Sequence, residues 1–317
     1  MVRVKGDVLK SSSFGFLAAN RLENGRSRGT AGVDASLNFS DKLHFTGQLA
    51  LSYGDEAKED FAFFLRPSYD SATSHFHVRY SQLGGRFADN ANAVGFIMDD
   101  NRRELDSALS KTFWLRKGPI ERIGYESNYN IYWGFDRVLR SWQIDQELEL
   151  DLKNKFRLGL DHTREYKLYE KGFRNDETEF SLGYNEREWQ SARASYSFGR
   201  NFDRDFRLFE GGVNYMLARS VSLEYSLERL VFDPDPERES TWIHVVRATS
   251  YFSKDLFLKV FLQTNTSIDK HNIQVLFVWR FQPPFGLVQL AFQKGTARFG
   301  VRGNQGNTLF LKFAYMF

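Results

Sequence analysis

The chain has 317 residues, 16% of them aromatic, and its 31 Phe and 14 Tyr exclude intrinsic disorder. With 43 basic and 40 acidic residues the formal net charge is +3, too near balance for a nucleic-acid-binding surface. Absent Cys excludes disulfides, thiolate metal sites and a Cys nucleophile, and no apolar run reaches the roughly 18 residues a membrane-spanning helix needs. The mean hydropathy of −0.48 suits a soluble protein. It equally suits strands that put every second residue into lipid, because the average then runs over a dry and a wet face.

The opening segment MVRVKGDVLKSSSFGF lacks the apolar h-region of a signal peptide. A protein that must be exported is then expected to start at a truncation or a mature end. Val2–Leu9 reads as a lead-in. From Ser13 onward the dominant pattern is period-2 alternation broken by turn signals.

Gly25-Arg26-Ser27-Arg28-Gly29 matches the G-x-S-x-G pattern of hydrolases. That motif works on a strained strand-to-helix turn, whereas here strand patterns flank it on both sides, which favours a solvated hairpin. GVDASLNFS sets Val33, Ala35, Leu37 and Phe39 against Asp34, Ser36 and Asn38. LHFTGQLALSY sets Leu43, Phe45, Leu49, Leu51 and Tyr53 against His44, Thr46, Gln48 and Ser52. His75 and His77 point to one side of a strand, with Asp70 near, and no third strong ligand is placed, so no metal site is expected.

Gly84–Asp106 is the longest connection and has an apolar centre of Phe87, Val94, Phe96, Ile97 and Met98. Long loops are functional or disordered. Two arrangements fit: a loop folded inward, with Arg86, Phe87, Asp89, Phe96, Asp99 and Arg102 at a constriction, or a loop packed outward. In Trp142–Leu152, Trp142, Ile144, Leu148, Leu150 and Leu152 face one way and Asp145, Glu147, Glu149 and Asp151 the other. Arg157, Asp161 and Glu165 follow on the next polar side. Four acids in a row cannot face lipid. They form either a cation-attracting wall or, as expected here, a structural ladder with Arg193, Arg247, Lys259 and Arg280.

SVSLEYSLE repeats the alternation, with Glu224 and Glu228 on its polar side. Asp233, Asp235, Glu237 and Glu239 lack EF-hand spacing and read as a solvated loop. NIQVLFVWRF aligns Ile273, Val275, Phe277, Trp279 and Phe281, and NTLFLKFAYMF aligns Leu309, Leu311, Phe313, Tyr315 and Phe317. In all, about eighteen runs, most about 9–14 residues long, exceed soluble strands in length and fit strands that cross a bilayer at a tilt.

Short connections at 40–42, 153–155, 218–220, 253–255 and 282–285 alternate with longer ones at 84–106, 166–177, 233–240 and 295–306. Short periplasmic turns and long external loops follow, and with them an even number of strands. The expected fold is all-β: a transmembrane antiparallel up-and-down β-barrel of outer-membrane type with about 18 strands (about 16–20), one domain over 1–317.

The stretches VRVKGDVLKSSSFGFLAANR (2–21), GVDASLNFSDKLHFTGQLA (32–50), DNANAVGFIMDDNRREL (89–105), RATSYFSKDLFLKVFLQTN (247–265) and WRFQPPFGLVQLAF (279–292) resemble an outer-membrane barrel family, domain of unknown function 5916. The resemblance implies a barrel that forms the C-terminal part of a longer protein with a module like a family 9 carbohydrate-binding domain. Neither that module nor any strand before Val2 lies on this chain, and the resemblance transfers no catalytic or binding residue.

The expected function is an outer-membrane pore or gated passage for small polar or glycan-related solutes. The alternative is a membrane anchor for the carbohydrate-binding module; a barrel hydrolase has the least support, and the chain is expected not to be an enzyme. Expected lumen residues are Asp145, Glu147, Glu149, Asp151, Arg157, Asp161, Arg193, Glu224, Glu228, Lys259 and Arg280. No cofactor and no nucleic acid are expected. Expected partners are outer-membrane lipid, lipopolysaccharide phosphate at Arg26, Arg28, Arg137, Arg140, Arg174 and Arg238, the barrel-assembly machinery at Phe317, and glycans through the N-terminal module.

Overall fold

The structure, a computed structural model, describes residues 1–8, 11–54, 58–295 and 306–316. The alternating runs become β1 (Val2–Val8), β2 (Ser12–Glu23), β3 (Arg26–Asn38), β4 (Leu43–Gly54), β5 (Asp60–Ser71) and β6 (Ser74–Leu83). A short helix, α1 (Phe87–Ala91), precedes β7 (Arg102–Trp114), β8 (Ile120–Trp133), β9 (Leu139–Leu152), β10 (Phe156–Leu168) and β11 (Gly172–Tyr184). The remaining strands are β12 (Ser191–Asn201), β13 (Arg204–Ala218), β14 (Val221–Asp233), β15 (Thr241–Ser253), β16 (Leu256–Asn265), β17 (Lys270–Gln282), β18 (Gly286–Lys294) and β19 (Asn307–Tyr315).

All nineteen belong to one sheet. Consecutive strands pair antiparallel from β1 to β8 and from β12 to β19. This is the all-β antiparallel up-and-down plan of outer-membrane-type barrels. β8 and β9 have 14 residues each and β13 has 15, against about 5–6 for strands of soluble sheets.

The described strands number nineteen, not an even number, because Val2–Val8 is itself a strand: its backbone pairs with Ala18 through Ser12 of β2. A second correction concerns residues 166–177. They are not a long loop, since β10 runs to Leu168 and β11 begins at Gly172. Charge misled here, because a strand in contact with water carries polar residues just as a loop does. Asn175 Nδ2 donates to Glu165 Oε1 at 2.8 Å across this pair.

The register aligns the apolar positions. Val33, Leu49 and Phe63 form one rung across β3, β4 and β5, and Leu258, Phe277 and Leu290 form another across β16, β17 and β18. Phe and Leu stand exposed along the length of the sheet, and among the described residues the buried apolar side chains are Phe87, Ala91 and Val278. A sheet without a second protein layer on its apolar face is stable in hydrocarbon and not in water.

The chain divides into two compact units. The first comprises Met1–Arg116, Arg122–Leu148 and Asp161–Asp176; the second comprises Lys117–Glu121, Glu149–Leu160 and Glu177–Phe317. Phe317, and most of the connection at 295–306, lie outside the described residues.

Candidate functional site

In the first unit, α1 packs against β3, β4 and β5. Its seat is a rung of small residues, Gly32, Ala50 and Ala62, on the face opposite Leu49 and Phe63. Small side chains let the helix approach, and Phe87 and Ala91 are only 5% and 3% exposed there. A cavity of about 400 Å³ lies between helix and sheet, lined by Leu17, Phe64 and Leu83 from below and Val94 and Ile97 from the loop.

The sequence fixes this connection at its base. The Asn101 N–H donates to the Gly84 carbonyl at 3.1 Å, and Ala88 N–H donates to Asp100 Oδ2 at 2.9 Å. The Asp60 carboxylate accepts from Arg86 N–H at 2.8 Å and lies so close over Gly84 that a Cβ there would clash with Oδ1. Asn92 closes the far end, its Oδ1 accepting from Ile97 N–H at 2.6 Å.

The expected constriction residues divide. Phe87 is buried in the docked helix, Arg86 and Asp89 are exposed beside it, and Phe96 points away at 84% exposure. Asp99 accepts from the Tyr132 hydroxyl and lies 3.6 Å from Arg140. Arg102 belongs to β7, as do the following residues through Asp106, so the loop ends at Asn101. Its guanidinium bonds Glu104 at 2.5 Å and lies over the Tyr132 ring at 5.0 Å.

The four acids of β9 share one face, as alternation requires, but their partners are local. In the first unit, Asp145 accepts from Thr163 Oγ1 at 2.8 Å. In the second, Arg157 donates to Asp151 at 2.8 Å and stands 3.9 Å from Glu149. Arg187 adds a bond of 3.1 Å to Asp151. Glu147 and Asp161, on the same face, are engaged as well.

The ladder expected from Arg193, Arg247, Lys259 and Arg280 does not form. Arg193 stands opposite Gly212, Arg247 lies 3.8 Å from Glu224, and Lys259 and Arg280 lie over the Phe257 ring at 5.6 and 5.8 Å. Strands are about 4.8 Å apart, so a side chain reaches only its own strand, its turn and the next strand. Glu228 is opposite Glu210. The expected lumen positions leave out Glu177, Glu179 and Glu210, although the E-x-E of ETEFSLGY carries the same signal. Ser197 Oγ donates to Glu179 at 2.9 Å and Ser195 Oγ to Glu210 at 3.4 Å.

Where β9–β10 and β11–β12 turn, a cavity of about 250 Å³ is lined by Glu121, Asp151, Lys155, Arg157, Glu186 and Arg187. Arg187 bonds Glu121 at 3.2 Å and Lys155 bonds Glu188 at 3.4 Å. The Asn185 side-chain amide, then Lys155, hold the Glu188 carboxyl below the usual glutamate range.

The remaining motifs are structural in their contacts. Asn24 and Gly25, with φ of 52° and 77°, make a two-residue hairpin turn, and β3 rather than a helix follows it. Ser27 Oγ donates to Asn20 Oδ1 at 2.9 Å. His75 Nδ1 meets Asp70 at 2.5 Å, His75 Nε2 meets His77 Nδ1 at 2.8 Å, and His77 Nε2 meets Asp106 at 3.2 Å. The rings bond each other in a line instead of converging on a point, and no three-ligand metal group occurs among the described residues. Asp235 accepts from the backbone of Glu239 and Ser240 at 2.8 and 3.0 Å, and Glu239 pairs with Arg204 at 2.5 Å. Those acids therefore shape their loop.

No family model matches the chain, and no curated protein matches it. Among solved structures it is similar to the open form of the ferric-catecholate import receptor Fiu of E. coli K12, with 9% identity and a TM-score of 0.45 over 99% of this chain and 72% of that one. It is also similar to the siderophore receptor PirA of Pseudomonas aeruginosa, with 9% identity and a TM-score of 0.37 over 99% and 74%. A mutant porin of Rh. blastica matches with 11% identity and a TM-score of 0.36 over 83% and 94%.

Proposed function

We propose that the chain is an outer-membrane barrel that passes small polar solutes along its charged face, narrowed by the connection 84–101. The observation that carries this reading is the docking of α1 on the face opposite the exposed apolar one, with Phe87 and Ala91 buried there. A loop that packs outward would leave those side chains in water. Asp145 and Glu147, in the same unit, add charge that would keep a passage wet. The exposed Phe and Leu of the other face contact outer-membrane lipid. The exposed arginines near the external loops meet lipopolysaccharide phosphate.

Conductance of the full chain in planar bilayers tests the reading. Deleting residues 87–98 is expected to raise single-channel conductance severalfold. A barrel that is silent both with and without the loop would overturn it.

The resemblance to domain of unknown function 5916 supports a second reading, in which the barrel anchors a carbohydrate-binding module. Glycan binding by a longer product that carries such a module, with none by this chain, is its expected signature.

A further inference from the structure

Strands β15 to β19 contain no Asp or Glu, yet carry Arg247, Lys259, Lys270, Arg280, Lys294 and Lys312. The strands before them, β9 to β14, hold most of the second half's acids. Charge is thus segregated along the sheet, a difference that general solubility does not require.

The register places the groups. Glu224, Arg247, Phe261, Gln274 and Gln293 stand opposite one another in sequence across β14 to β18. One rung over, on the same face, come Lys259, Leu276, Ala291 and Phe310. The next rung ends on Gln289 and Lys312. Together the first two rungs line a hollow of about 460 Å³.

Two features of this hollow bear on a ligand. Phe310 is 58% exposed on the charged face, as Leu309, Leu311 and Phe313 are exposed on the other face of β19, which pairs with β18. Lys259 has no carboxylate partner among the described residues, its ammonium lying instead near the Phe257 ring at 5.6 Å. The one acid facing the hollow, Glu224, is 3.8 Å from Arg247, whose guanidinium also lies over Phe261 at 5.4 Å. An exposed ring beside an uncompensated cation is complementary to a solute with an apolar ring and a negative charge.

We propose that the charged face of β15–β19 is a binding subsite for anionic solutes with an apolar body, of the aryl-carboxylate class. Lys259 and Lys312 attract the carboxylate, Phe261 and Phe310 pack on the ring, and Gln274 and Gln293 offer amides to its polar substituents. The subsite rests on that face being wet, as the passage reading has it.

Calorimetry on the full chain in detergent, with benzoate, acetate and benzyl alcohol as probes, tests the subsite without needing conductance. Benzoate is expected to bind at least tenfold more tightly than either of the others, since each lacks one half of the recognition. Lys259→Gln and Phe310→Ser are each expected to weaken benzoate severalfold, and Lys259→Arg to retain it. Far-ultraviolet circular dichroism checks that each variant keeps its strands. If benzoate fails to bind, or binds no better than benzyl alcohol, the subsite is refuted. If Lys259→Gln binds it as wild type does, the assignment to this face is refuted. Bilayer conductance on the same preparation decides the passage separately: benzoate bound by a silent barrel removes the passage and leaves the subsite.

Discussion

Gly84 shows how one residue sets the loop. An added methyl would clash with Asp60 Oδ1 and must push the carboxylate away, and with it the acceptor for the Arg86 N–H. Gly84→Ala is expected to destabilise the loop base by about 1–3 kcal/mol, as overpacking does. Limited proteolysis should then cut between Arg86 and Asp100 faster than in wild type, and equal cutting would contradict the tether. Glu188 gives a pH-dependent counterpart. Its folded carboxyl is depressed by Asn185 and Lys155, so its contribution is present above the ordinary glutamate range and disappears as pH falls through the depressed value. Wild type and Glu188→Gln should differ slightly in Tm at pH 7 and converge as pH drops below about 4. At this scale the sequence told which residues lie on one side of a strand, and Asp145, Glu147, Glu149 and Asp151 do share a face. It did not tell their partners. Arg187 comes to Asp151 from the 185–190 turn, and no periodicity encodes how a turn folds back.

At the level of elements, α1 is a helix of 5 residues, too short to persist without its seat. Docking therefore decides its structure. Truncating the buried anchor in Phe87→Ala is expected to cost about 3–5 kcal/mol of docking, the range for buried aromatics. Amide exchange in residues 87–95 should rise by orders of magnitude while β3, β4 and β5 stay protected. Loss of protection throughout the sheet would instead make α1 a structural keystone. The apolar centre of residues 84–101 was legible as a sequence of Phe, Val and Ile. Which of them packs was not, for Phe87 is buried and Phe96 exposed although both are equally apolar. The misread connection at 166–177 has the same origin, since composition reports solvent contact and not hydrogen bonding.

For the whole molecule, the two faces of the sheet make opposite demands. Leu49 faces the exposed apolar side and its neighbour Gln48 the other. Leu49→Arg is expected to cost about 2–4 kcal/mol at mid-bilayer depth, while Gln48→Arg should be nearly neutral. Urea titration of folding into lipid vesicles measures both. Equal costs would mean that the apolar side does not meet hydrocarbon.

Strand number within one, strand direction and the face of each side chain were determined by sequence alone, because a period of two leaves each residue only two sides to occupy. Pairing of charges, the seat of α1 and the hollow on β15–β19 were decided by tertiary structure. Those depend on register between strands and on the path of turns, which bring together residues that no local pattern connects.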